Sequence, residues 1–172
     1  PVHSLYLDSD QLRLYWDTIN GDKNRFKLRL RYYSTDAKSP VFFEIKRRMN
    51  NCIMKQRGGV RQEFVPYLLS GQMPREEHLL SKAPKQMVAL QRFCELMERI
   101  RAKPKVHIFY MREAYVSSDD QVRVNKENGA FAGREVDHHA GTGDLVAGAV
   151  DARAAVDRVI AQATGEQLTL RR

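Results

Sequence analysis

Three features of the sequence predict an α+β fold, an antiparallel sheet carrying flanking helices. Residues 25–33 (RFKLRLRYY) and 41–48 (VFFEIKRR) alternate apolar and charged side chains with the period of two that marks half-buried strands. The short polar loop STDAKSP between them suits an antiparallel hairpin. Residues 84–101 instead repeat Met87, Leu90, Cys94, Met97 and Ile100 at helical spacing.

The remaining elements follow in order. Residues 3–7 alternate and predict a first strand. DSDQLRLYWDTINGDKN reads as a polar connection holding Leu12, Leu14, Tyr15, Trp16 and Ile19, with a turn at Asn20-Gly21. After the hairpin, KQRGGVRQEF is extended, with a turn expected at Gly58-Gly59. Residues 65–69 suit a short helix. Pro84 stands at a favourable first helical position, and Pro104 ends that helix. Residues 106–116 (VHIFYMREAYV) predict a further strand, and 121–124 another after the turn SSDD.

The character changes at Asn125. Fourteen of the 15 aromatics precede it, and Ala, Gly, Asp and Val dominate beyond it. Two regions are therefore expected: 1–124, the folded domain, and 125–172, a divergent tail of loop plus an Ala-rich helix over 145–164. Charge divides the same way. The chain carries +8 overall, but the first 124 residues hold 23 basic and 14 acidic side chains against 6 and 7 in the tail. An excess of that size points to a polyanionic partner. Cys52 and Cys94 lack metal-ligand spacing and make no disulfide framework, which fits reduced thiols in the cytoplasm. No apolar run approaches the roughly 20 residues that span a bilayer, and no signal peptide is apparent.

The basic residues are ordered. Arg25, Lys27, Arg29 and Arg31 fall on one side of a single strand. Neighbours in such a row stand about 6.8 Å apart. They repel by about 0.6 kcal/mol in water and about 2.4 kcal/mol at an effective dielectric near 20. One row alone suits a solvated face. Here Glu44 and Lys46 share a face of the next strand, Lys55 and Arg57 a face of the one after, and Arg112 and Arg123 fall on later strands. Closed into a barrel, these rows would line a lumen that a phosphate chain relieves, since arginine forks and lysine ammonium groups both bind phosphate oxygens.

In these residues the chain resembles the VTC-type polyphosphate polymerase domain, of the triphosphate tunnel (CYTH-like) metalloenzymes. The resemblance runs through SLYLDSDQLRLYWDTINGDKNRFKLRLRYY, VFFEIKRR, KQR, YMREAYV and QVRV, over roughly residues 2–124. It implies an antiparallel β-barrel, the triphosphate tunnel, in which the γ-phosphoryl group of ATP passes to a growing polyphosphate chain with Mn²⁺ or Mg²⁺ as cofactor. It implies a catalytic set of Lys27, Arg29, Arg31, Lys46, Lys55, Arg57, Arg112 and Arg123. Of these, Arg29, Arg31, Lys46, Arg112 and Arg123 would hold ATP, and Glu44 the metal. The family's opening strand has no counterpart after Pro1. Its closing strands, one bearing a metal-holding glutamate, have none in the tail, where Glu135 stands in unlike surroundings. An incomplete tunnel, from a truncated member, is therefore expected.

Two other functions compete: an inactive module that only binds polyphosphate or nucleotide, and a nucleic-acid binder. Cations placed within alternating strands disfavour the last, which more often adds loop cations and stacking aromatics. ATP and polyphosphate are thus the expected partners, with room for a membrane-protein partner. Asp137-His138-His139 is a three-residue echo of the DHH phosphoesterases and reads as loop. Gly58-Gly59 reads as a plain turn rather than an anion nest. His107 is structural, and Tyr15 and Trp16 are expected to pack on the barrel exterior rather than stack on adenine.

Overall fold

The computed structural model describes residues 1–36, 38–118 and 123–134, with backbone alone over 129–134. Six strands form one sheet: β1 (Val2–Asp8), β2 (Asn24–Tyr32), β3 (Val41–Met49), β4 (Cys52–Val60), β5 (Lys103–Val116) and β6 (Arg123–Arg134). Their order is β4-β3-β2-β1-β5-β6, every pair is antiparallel, and the sheet curls into a half-barrel. The expected incomplete α+β barrel is what forms. Three helices accompany it: α1 (Arg13–Ile19), α2 (Val65–Leu69) and α3 (Pro84–Arg99). Among the described residues, no helix is long and apolar enough to cross a membrane.

Strand alternation divides the sheet into two unlike faces. Leu5, Leu7, Leu28, Leu30, Val41, Phe43 and Ile45 point to one side and are buried. Onto them pack Leu14 of α1, Val65 and Leu68 of α2, and Leu90, Phe93, Cys94 and Met97 of α3. Phe93 meets Phe43 edge-on, with ring centroids 5.0 Å apart. All three helices therefore cover the same side, and the residues between the core positions form the opposite face.

Tight local geometry fixes the connections. Asn50 adopts φ 51 in the two-residue turn between β3 and β4, as such hairpin turns favour. At the end of β1 the buried Asp8 carboxylate accepts from the backbone N–H of Leu14 and Tyr15, each at 2.9 Å, and so nucleates α1. The stretch expected to be a polar connection thus holds a helix. On it Tyr15 and Trp16 are about half exposed rather than packed on the exterior. The helix is short, only Leu14 is buried on it, and the Tyr15 and Trp16 rings meet edge-on with centroids 5.2 Å apart.

Two further expectations are corrected. Gly58 and Gly59 lie inside β4 and do not turn the chain. Their smallness serves close packing. A Cβ on Gly58 would stand 2.9 Å from the Gln86 carbonyl oxygen and 3.0 Å from Leu90 Cβ, both on α3. In addition, β6 continues through the expected loop, and through the expected boundary at Asn125, to Arg134. Backbone pairing with β5 carries it despite a polar sequence. Asp137, His138, His139, Glu135 and the 145–164 helix lie outside the described residues. His107 is buried, stacked on His3 and 3.3 Å from the Tyr32 hydroxyl, a packed position.

Gly58→Ala should push α3 off β4. The expected loss is about 1–3 kcal/mol, read as a lowered urea midpoint with an unchanged slope.

Candidate functional site

On the helix-free face the register builds rungs of side chains. Ser4, Arg31, Phe42 and Gly59 lie abreast across β1–β4; the next rung is Tyr6, Arg29, Glu44 and Arg57. Below it Lys27, Lys46 and Lys55 stand side by side on β2, β3 and β4. Three lysines directly opposite one another are destabilising in a ladder. The sequence that spaces leucines for the core at every second position also places these cations together.

Glu44 sits at the centre and is 1% exposed. Arg29 donates Nε and Nη2 to its Oε2, both at 2.7 Å, and Lys55 Nζ stands 2.9 Å from its Oε1. Arg57 lies 4.0 Å from Oε1, its guanidinium over the Phe42 ring. Burial alone would raise the carboxyl's pKa, but Lys55 and Arg29 together hold it below the ordinary value of 4.5. Burial likewise opposes the charge on Arg29, while the Tyr6 hydroxyl and Glu44 more than offset it, leaving its pKa raised.

Arg31 is different. It is 6% exposed, yet it makes no ion pair among the described residues. Its Nε and Nη2 donate to Ser4 Oγ at 3.2 and 3.0 Å, and Nη2 also to the Tyr110 hydroxyl at 3.3 Å. A nearly buried guanidinium held by neutral hydroxyls keeps its full positive charge unbalanced, which is costly without an anion. Tyr110 bridges onward, accepting from Arg112 Nη2 at 2.8 Å, while Arg112 pairs with Glu127 on β6.

The structure therefore gathers Lys27, Arg29, Arg31, Glu44, Lys46, Lys55 and Arg57 on one face of β2–β4, and joins Arg112 to them through Tyr110. Lys27 and Lys46 make no ion pair among the described residues. Arg123 is exposed and registers with Val116, four residues and about 13 Å along β5 from Arg112. It shares the side of Arg112 but not the cluster. Ser4, Tyr6 and Tyr110 were not singled out from the sequence. The signal for Ser4 and Tyr6 is parity alone, since they alternate with the buried Leu5 and Leu7 on β1; Tyr110 carries no such signal, since Phe109 and Met111 beside it are not buried.

A divalent cation does not fit at Glu44. Arg29 holds its Oε2, and Lys55 Nζ stands 2.9 Å from its Oε1, a buried oxygen with no well-formed hydrogen bond. A metal ion there would have to displace Arg29 or Lys55.

Among known families, the model of the VTC domain matches residues 1–161. No curated protein matches the chain.

Glu44→Gln should remove about 3 kcal/mol of stability at neutral pH by leaving Arg29 unpaired. Because folding depresses the Glu44 pKa, its contribution is present above about 4.5 and is lost as pH falls through the folded-state value. Denaturant melts from neutral to acid pH should show this acid limb in the parent and a flatter one in Glu44→Gln.

Proposed function

The chain belongs to the VTC domain family, and on that premise we propose that it binds ATP and polyphosphate along its cation face and transfers the γ-phosphoryl group to a growing polyphosphate chain. The observation that carries this reading is Arg31, a nearly buried cation with hydroxyl partners and no carboxylate. Lys27 and Lys46, two rungs away and without an ion pair among the described residues, supply further phosphate contacts along the strands.

In the proposed reaction a terminal oxygen of the acceptor chain attacks the γ-phosphorus. The bond to the β–γ bridging oxygen breaks and ADP leaves. Phosphoryl transfer asks mainly for alignment and charge stabilisation. Arg31 and Arg112, linked through Tyr110, suit the binding of phosphoryl oxygens in a fixed direction. Glu44 orients Arg29 and Lys55 rather than taking a proton. Mn²⁺ or Mg²⁺, carried on the nucleotide's own phosphates, would neutralise their charge. ATP as substrate fits a cytoplasmic setting.

Binding without transfer is the second reading. It is favoured by the ion pairs of Glu44 with Arg29 and Lys55, which place the chain's own cations beside the one carboxylate on this face of the described part of β2–β4.

The readings separate on incubation with ATP and Mn²⁺ and assay for acid-stable polyphosphate. Transfer predicts polymer. Binding alone predicts no polymer but retained tripolyphosphate affinity. Under either, Lys27→Gln combined with Lys46→Gln should weaken tripolyphosphate binding roughly 100-fold, at about tenfold or more per charged contact. Affinity untouched by this pair would sink both readings.

A further inference from the structure

A second cationic feature lies on the helix side of the sheet, where β1 ends and α3 gives way to β5. A solvent-open cavity of about 440 Å³ is lined there by Ser9, Gln11, Arg13, Arg99, Ile100 and Arg101. That volume is within the range of small-ligand sites, roughly 300–1,000 Å³. Three of its six lining residues are arginines, and no carboxylate is among them.

The arginines are not held for structural reasons that the fold reveals. All three are exposed, and none has an ion-pair or side-chain hydrogen-bond partner among the described residues. Two of the nearby acids are already committed, while Glu98, next to Arg99, and Asp17, four residues from Arg13, form no ion pair with these arginines among the described residues. Asp8 accepts from the backbone of α1, and Asp10 pairs with Lys103 at 3.1 Å and Lys105 at 3.0 Å. The backbone is also unusual here. Arg101 adopts φ 50 and Leu12, just before Arg13, φ 55, two of the three non-glycine residues with positive φ among those described. Strained conformations of this kind persist where the surroundings hold them, and they gather at functional sites.

We propose that this cavity is a second anion site that takes clustered phosphoryl groups, separate from the cation face. A lone carboxylate satisfies one arginine fork. Three forks around one cavity need an anion with several oxygens and more than one charge, the chemistry of a phosphate chain or a multiply phosphorylated headgroup. Either source presents the same groups. The headgroup source has its own motive. Tyr15, Trp16 and Ile19 stand exposed on α1 within two turns of Arg13, and amphipathic rings such as Tyr15 and Trp16 favour a lipid–water boundary.

The test uses the full chain carrying Lys27→Gln and Lys46→Gln, so that the cation face is weakened. In one arm tripolyphosphate is titrated by calorimetry. In the other, co-sedimentation is measured with phosphatidylcholine vesicles doped with a phosphoinositide. The expected result is saturable binding in at least one arm, weakened tenfold or more when Arg13→Gln and Arg99→Gln are added. The thermal midpoint should stay unchanged, since both side chains are exposed. Binding in the calorimetric arm assigns a soluble ligand, and binding to vesicles alone assigns the headgroup. Absence of saturable binding in both arms, or binding indifferent to the two arginines, would overturn the site. Because the readout is the effect of Arg13→Gln and Arg99→Gln on binding, failure of phosphoryl transfer would not alter the result.

Discussion

Glu44 is the charge on which the helix-free face depends. Nine cations share that face of β2–β5 among the described residues: Arg25, Lys27, Arg29, Arg31, Lys46, Arg48, Lys55, Arg57 and Arg112. A row of like charges across hydrogen-bonded strands opposes the sheet that carries it. The buried carboxylate lies between Arg29 and Arg57 on the central rung and takes Lys55 from the rung below. It neutralises the middle of the array and leaves the ends positive. Arg31 remains on one side, and Lys27 and Lys46 on the other. This distribution suits an extended anion that runs along the strands better than one compact charge at the centre.

The two faces of the sheet answer to one periodicity. Leu28 and Leu30 enter the core because their neighbours Lys27, Arg29 and Arg31 leave it, and the same holds for Ile45 against Glu44 and Lys46. A slip of one residue in β2 would bury the cations and expose the leucines, so the apolar face fixes the register of the basic one. Packing of α3 on β3 and β4 reinforces this. Gly58 lets that helix approach so closely that a methyl group does not fit. The geometry of the cation face is therefore set by contacts on the far side of the sheet.

This explains which parts were legible in the sequence. Alternation revealed β2 and β3, and with them the placement of Lys27, Arg29, Arg31, Glu44 and Lys46, since period-two order is local. Ser4, Tyr6 and Tyr110 were invisible because a neutral hydroxyl carries no charge signal. Their importance comes from Arg31 and Arg29 reaching them across strands. Gly58-Gly59 resembled a turn, and only the passage of α3 over β4, some thirty residues later, makes small residues necessary there. The α1 helix was hidden for a similar reason. Its amides are satisfied by Asp8, on the preceding strand, and not by a residue at the capping position. Glu44 was legible as an acid on the right face. That its two oxygens would be turned to Arg29 and Lys55 was not, because hydrogen-bond geometry is absent from spacing.

An open sheet also has edges to protect, and here the protection is tied to the charge pattern. Beside the last residues of β4, Val60 pairs with Leu79, Leu80 donates to the Gly59 carbonyl, and Arg61 donates to that of His78. That end of the edge is covered by chain. Further along β4 the cover gives out, and Lys55 and Arg57 begin, each about half exposed. Edge cations deter strand addition by another chain. The same two side chains that lean toward Glu44 therefore also guard the exposed edge. An anion on the face would lower their cost to the sheet by binding only the folded form.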